Sequence, residues 1–389
     1  MGSPVQASIV GAGHTRFGVR PEGPRALLRE AIDLAFSSVD HGMDRTKVEE
    51  AFIGTLGFSG WQLGNVSAVL AEEARIAPVP VTRVENACAS SGFALHQAVR
   101  SLGSGTRDHV LVVGLEKMTD APSPRRRYWL GVSGDSEWER LAGLTFAGVY
   151  GLMASHYLAT YHVPREALAE VAVKNHANGA LNPNAHFQKT VTREQVLGAP
   201  RVADPLGLLD CCPVTDGAVA LLLTKPERSH EYTDTPVDIR GTGAGSDSLA
   251  LQERGRLTSL AATRRAADEA FRHADLKRGS ISFLEVHDCF TIAELLALED
   301  LGYAEEGSAG ALTLSGATQR TGALPVNPDG GLKAKGHPIG ATGASQAYEA
   351  FVQLRRQAGA RQVNGAERAL THNVGGSGAS AAVTIFSVG

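Results

Sequence analysis

One pattern limits the folds open to this chain. Short apolar runs end on glycine, each leads into a segment with helical apolar spacing, and the succession occurs twice. Ala7-Ser8-Ile9-Val10-Gly11-Ala12-Gly13, Ala51-Phe52-Ile53-Gly54 and His109-Val110-Leu111-Val112-Val113-Gly114 read as buried strands. Between them, Leu27, Leu28, Ala31, Ile32 and Ala35 share one face of a helix from about Pro24 to Val39. Continuous apolar strands alternating with helices mark a parallel α/β sheet covered on both faces. The second alternation begins near Val237-Asp238-Ile239. It predicts a helix over Thr258–Ala274, a strand over Ser282–Val286, helices over Thr291–Leu301 and Gly340–Arg356, and strands at 369–372 and 381–386. The turn Cys88-Ala89-Ser90-Ser91-Gly92 is echoed by Gly340-Ala341-Thr342-Gly343-Ala344. No identity survives between the halves, so the reading is a duplicated architecture with two helix N-termini aimed at a shared centre.

A chain of 389 residues is too long for one simple core. The expected division is residues 1–116 and 209–236 as an N-terminal half, 117–208 as an inserted loop domain, and 237–389 as a C-terminal half. Within the insertion the alternation fades and the pattern is mostly helical. Its Arg125-Arg126-Arg127-Tyr128-Trp129 suits the phosphates of a carrier such as coenzyme A and equally a solvated basic surface. A formal net charge of −4 points away from nucleic acid. The four cysteines contain no CxxC pair, which suits a reducing compartment. With neither a long apolar run nor a signal peptide, the expectation is a cytoplasmic protein without a membrane partner. Cys211 and Cys212 are read as packing residues.

Four segments can carry chemistry. Val84-Glu85-Asn86-Ala87-Cys88 leads into the apolar spacing of Phe93, Leu95, Ala98, Val99 and Leu102. Cys88 is therefore expected on a strand-to-helix turn, where unpaired N–H groups favour a thiolate and offer donors to an oxyanion. A buried packing cysteine fits that stretch equally well by itself. His287-Asp288-Cys289-Phe290 stands at the C-terminal end of a strand, where parallel sheets gather ligands. His337 lies in the glycine-rich stretch Gly330–Gly343 before a helix. His372-Asn373-Val374-Gly375-Gly376-Ser377-Gly378 is a glycine loop able to present backbone N–H groups. Together these make a candidate shared site; their spacing lacks the close pairs of a zinc centre, so no metal is expected.

These pieces resemble the thiolase superfamily over nearly the whole length. The matching segments are Asn86–Gly92, Gly330-Gly331 through Gly336-His337-Pro338-Ile339-Gly340-Ala341-Thr342-Gly343, and Asn373-Val374-Gly375-Gly376. His287-Asp288-Cys289-Phe290 is similar to the sterol-carrier-protein type (SCP2-like), which carries this tetrapeptide where commoner thiolases have Asn-Glu-Ala-Phe. That type also lacks the usual C-terminal Cys-x-Gly, here replaced by Asn373-Val374-Gly375. The resemblance implies a thiolase fold: two βαβαβαββ halves in a five-layered α-β-α-β-α core. It implies acyl transfer between acyl-CoA thioesters, with coenzyme A esters as substrates and no permanently bound cofactor. Cys88 would be acylated, His337 would take its proton, and Cys289 would handle the α-carbon proton. One oxyanion hole would come from His287 with water or His337, another from the N–H groups of Cys88 and Gly375, with Asn373 in support.

The same resemblance implies a homodimer or tetramer and a small zinc-ribbon/OB-fold partner protein. No appended lipid-carrier domain is expected, since the chain ends just after its last strand. Two related chemistries share these parts: a decarboxylating ketoacyl-synthase-like condensation, which needs no second cysteine, and an aldolase or acyltransferase acting on another acceptor. A scaffold that only binds acyl-CoA is a third alternative.

Overall fold

The computed structural model describes residues 5–389. Strand β1 (Ala7–His14) is followed by α1 (Pro24–Ser37), β2 (Glu50–Gly54), α2 (Val66–Ala74), β3 (Val81–Val84), α3 (Ser90–Gly103) and β4 (His109–Glu116). The segment 117–208, the expected insertion, holds α4 (Ser123–Gly131), α5 (Phe146–Tyr161), α6 (Glu166–Gly179), α7 (Arg193–Leu197) and the short pair β5 (Arg201–Ala203) and β6 (Leu206–Gly207). The chain returns through β7 (Gly217–Thr224) to β8 (Val237–Ser246), α8 (Ala261–Ala274), β9 (Phe283–Glu285) and α9 (Thr291–Asp300). It ends with α10 (Ala309–Leu314), α11 (Gly331–Ala334), α12 (Thr342–Leu354), β10 (Arg368–Gly375) and β11 (Ser380–Val388).

Nine strands lie in the order β3-β2-β4-β7-β1-β8-β11-β10-β9. The two halves are joined into one sheet where β1 pairs antiparallel with β8, through Ala7↔Ile239, Ser8↔Asp238 and Ile9↔Val237. Three apolar clusters make the layers. One packs α1 and α2 on the outer face of the N-terminal strands. A second holds Ala94, Leu95 and Val99 of α3 and Ala344, Ala347 and Phe351 of α12 between strands of both halves. A third packs α8, α9 and the insertion helices α5 and α6 on the other outer face. The result is a mixed α/β fold in five layers, with α3 and α12 in the centre. The fifth strand position of the C-terminal half is reduced to a single bridge, Leu284↔Val326.

Glycine explains why the outer helices lie so close. A Cβ at Gly13 would stand 2.2 Å from Ala31 O on α1, and one at Gly243 would stand 1.9 Å from Ala266 O on α8. Both first strands of the halves thus carry side-chain-free rows that seat an alanine-lined helix, a repeat of structure with no repeat of sequence.

Candidate active site

The centre of the molecule is where α3 and α12 begin. A Cβ on Gly343 would lie 2.4 Å from Gly92 N and 2.3 Å from Asn373 Oδ1. Only glycine lets the two helix starts touch, and that contact brings the preceding turns together. Cys88 stands two residues before α3, as its sequence predicts. Ala87 before it is in the left-handed region at φ 50°, an unfavourable conformation for a residue with a Cβ. Ser90 ties the turn, donating to Ala87 O at 2.6 Å and accepting from Asn86 N at 3.1 Å. Asn373 spans both halves: Nδ2 donates to Cys88 O at 3.0 Å and Oδ1 accepts from Gly92 N at 3.3 Å.

His287 and His337 meet Cys88 from the C-terminal half. The Cys88 sulphur and a nitrogen of each ring lie within 4.8 Å of one another, and the rings stand nearly perpendicular with centroids 5.1 Å apart. Their partners set opposite tautomers. His287 Nδ1 accepts from Val374 N at 3.3 Å, with Asn373 Nδ2 at 3.4 Å. Its proton therefore resides on Nε2, which is buried without a partner. His337 Nδ1 lies 2.7 Å from Thr342 Oγ1. That hydroxyl gives its one proton to Pro338 O at 3.1 Å and accepts from Nδ1–H. His337 Nε2 is thus a bare lone pair, and the pair of rings offers the centre one donor and one acceptor.

Cys289 is buried beside them. Its carbonyl accepts from Cys212 N at 3.0 Å, and it shares the cavity wall with Tyr150. Asp288 turns away to hold the start of α11, accepting from Leu332 N at 2.6 Å, Lys333 N at 3.2 Å and Asn175 Nδ2 at 2.7 Å. A cavity of about 670 Å³ is walled by Cys88, Cys289 and His337 together with Met118, Leu144, Phe146 and Ile339. Its rim includes Tyr128, which is exposed.

Several expectations need correction. The helix-start amides do not give a ready thiolate: burial pushes the Cys88 thiol up to about 12, with the nearby Glu116 carboxyl adding to it and the Gly376 and Cys88 N–H groups only partly opposing it. Burial likewise raises Cys289 well above the thiol range. Burial, reinforced by Lys335, lowers His337 to about 3, and burial holds His287 well below its usual range. The resting groups are neutral thiols and neutral imidazoles. The Gly376 N–H bears on the Cys88 sulphur, next to Gly375, the last residue of β10. His372 is in that strand too, bonded to Thr263 Oγ1 at 2.9 Å, away from the cavity. Cys211 and Cys212 pack against the apolar cluster of the C-terminal half, as expected, and also line the cavity. Of the three arginines, Arg127 alone lines it. Gly331–Ala334, expected within a loop, forms a turn of helix.

Tyr150, Thr342 and Gly376 were not legible as site residues. Tyr150 sits on a helix of the insertion with no motif around it. Thr342 could have been found five residues after His337, inside the same glycine-rich segment. The cluster of Cys88, His287 and His337 has the donor types of a soft-metal site. Yet ligation through His287 Nε2 would force its proton onto Nδ1, against the N–H of Val374.

Comparison with known proteins places this geometry. The family description "Thiolase, N-terminal domain" matches residues 7–227, and "Thiolase C-terminal domain-like" matches residues 243–388. A protein of Methanothermobacter thermautotrophicus named acetyl-CoA acetyltransferase is 43% identical over 382 residues, 98% of this chain and 99% of the relative. Sterol carrier protein 2 of Gallus gallus is 31% identical over 98% of this chain and 71% of its own length. Among solved structures, the Ltp2-ChsH2(DUF35) aldolase superposes with a TM-score of 0.86 at 23% identity, covering 100% of this chain and 99% of that one.

Proposed function

The chain belongs to the thiolase superfamily, in its SCP2-type branch, and on that premise we propose that it makes or cleaves a C–C bond between acyl-CoA thioesters through an acyl-Cys88 intermediate. Thiolase-type acyl transfer is the activity its relatives support; the roles that follow are our reading of the residues. What carries it is the convergence of one thiol with two imidazoles of opposite tautomer within 4.8 Å.

In the condensing direction, Cys88 Sγ attacks the thioester carbonyl while its proton passes to His337 Nε2. The N–H groups of Cys88 and Gly376 hold the tetrahedral oxyanion, each such donor being worth roughly 3 kcal/mol of barrier. The C–S bond breaks, and the departing CoA thiolate takes the proton of Cys289. The Cys289 thiolate then removes the α-proton of a second acyl-CoA, whose electron pair moves to the carbonyl oxygen. His287 Nε2–H and the imidazolium of His337 donate to that enolate oxygen. The enolate carbon attacks the acyl group, Cys88 leaves as thiolate, and it recovers its proton from His337. Charges and protons balance over the cycle.

Substrates are coenzyme A esters, bound without a resident cofactor. Arg127 is the arginine of the triplet best placed for their phosphates. Arg125 lies 5.5 Å over the Trp61 ring and Arg126 donates to Ala121 O at 3.0 Å. The gap between the matched domains, 227 to 243, supports a boundary near residue 236, and we propose 117–208, which holds α4 to α7, as the inserted loop domain. We further propose a homo-oligomer working in the cytoplasm. No helix among the described residues is long and apolar enough to cross a membrane. The "DUF35" component in the name of the matched aldolase complex supports a small partner protein for this chain.

The test is incubation with radiolabelled acetyl-CoA, and with a panel of 3-ketoacyl-CoA esters plus free CoA. The expected result is label on the Cys88 peptide, absent from Cys88→Ala. Turnover without such an intermediate would overturn the reading and favour aldol cleavage, which needs no acyl-cysteine.

A further inference from the structure

Tyr150 comes from α5 in the insertion, yet it is fully buried at the catalytic centre. Its ring stacks on Phe290, next to Cys289, with centroids 4.7 Å apart and planes at 25°. Its hydroxyl donates to Gly376 O at 3.2 Å. Cys289 lines the same cavity, and its thiol and the phenol bear on each other's charge. With its single proton on Gly376 O, the phenol oxygen is left as an acceptor. A phenol hydroxyl has two in-plane positions for its proton, of which the bond to Gly376 O takes one.

We propose that Tyr150 is a catalytic residue of the α-carbon proton step, its hydroxyl resting on Gly376 O while Cys289 is a thiol and turning to donate to Cys289 once that sulphur is a thiolate. This rests on the reading of Cys289 as the α-carbon base. The thiolate exists only between loss of its proton to departing CoA and capture of the α-proton. In that interval it is buried, where an unpaired anion is expensive. A hydrogen bond to a charged group is stronger than one to a neutral group, so the turn of one hydroxyl selectively favours the reactive state. Tyr150 keeps its proton throughout, and no electrons are gained or lost. The insertion thereby supplies chemistry as well as a wall.

The experiment compares two half-reactions in Tyr150→Phe, which retains the stack on Phe290. Exchange of the acetyl-CoA methyl protons in D2O reports the α-carbon step, and acetyl loading of Cys88 reports the first. The expected result is a fall in exchange of roughly 10- to 100-fold, the effect of one hydrogen bond to a charge, with a much smaller change in loading. The pH midpoint for iodoacetamide alkylation of the Cys289 peptide should also move upward. A loss shared equally by both steps, a loss in loading alone, or no loss overturns the proposal. Cys289→Ala separates the premises. If it keeps exchange, the reading of Cys289 as base fails and takes the proposal with it. If it abolishes exchange while Tyr150→Phe does not, only the role of Tyr150 fails.

Discussion

Thr342→Val tests the tautomer argument at a single oxygen. Thr342 is 1% exposed, and valine keeps its branched shape, so packing changes little. What disappears is the acceptor 2.7 Å from His337 Nδ1. A buried N–H left without a partner costs about 1–3 kcal/mol. The ring escapes part of that cost by moving its proton to Nε2, the atom that must be bare to take the Cys88 proton in the proposed cycle. A bias of that size against the working tautomer slows acylation of Cys88 by roughly 5- to 100-fold, each 1.36 kcal/mol being a factor of ten. The assay is single-turnover loading with acetyl-CoA, quenched on the millisecond scale and read as intact mass. Thr342→Ser restores the oxygen and should recover most of the rate. Parental loading in the valine variant, or equal slowing in the serine variant, would refute the assignment of His337 as an Nε2 base.

Two other outcomes follow from packing and burial. Gly343→Ala places a methyl 2.4 Å from Gly92 N and 2.3 Å from Asn373 Oδ1. It should separate the two helix starts, lower the melting temperature and remove activity, as circular dichroism and the acyl-loading assay would register together. Unfolding free energy should also fall on acidification below pH 6.5. Burial lowers His14, His337 and His372 to about 3 and His96 to about 4, so the unfolded chain takes up protons that the fold refuses. The cost is roughly 2 kcal/mol per ring at pH 5. Glu116 and Asp288, raised to about 7 by burial, act in the opposite sense, because the fold takes up their protons as pH falls through 7. Glu285, Glu349, Glu299 and Asp300, also raised by burial, add to that offset, while His176 and His287, lowered by burial, add to the loss. Denaturant melts at pH 7.5, 6 and 5 check the sign, and a midpoint that rises toward pH 5 would refute it.

Local residue patterns dictate the succession of elements and mark the segments proposed to bear the chemistry. Apolar period, glycine punctuation and the small-residue turn at Cys88 act within a few residues of chain, so β1, α1, β4, α3 and α9 could be read directly. The residue types of Cys88, His287-Asp288-Cys289-Phe290 and Gly336-His337-Pro338 were likewise visible, because a reactive side chain is present or absent in the string itself. Tertiary structure decided what those groups are when assembled. The joining of β1 to β8, the contact of Gly92 with Gly343, and the placing of Tyr150 and Cys212 beside Cys289 all link residues far apart in the chain, and no local periodicity encodes them. Protonation followed the same rule. A helix start argued for a thiolate, but the desolvating surroundings of the half-buried Cys88 raise its thiol instead. Which ring nitrogen carries the proton is set by Val374 for His287 and by Thr342 for His337, through hydrogen bonds that exist only once the chain has closed around them.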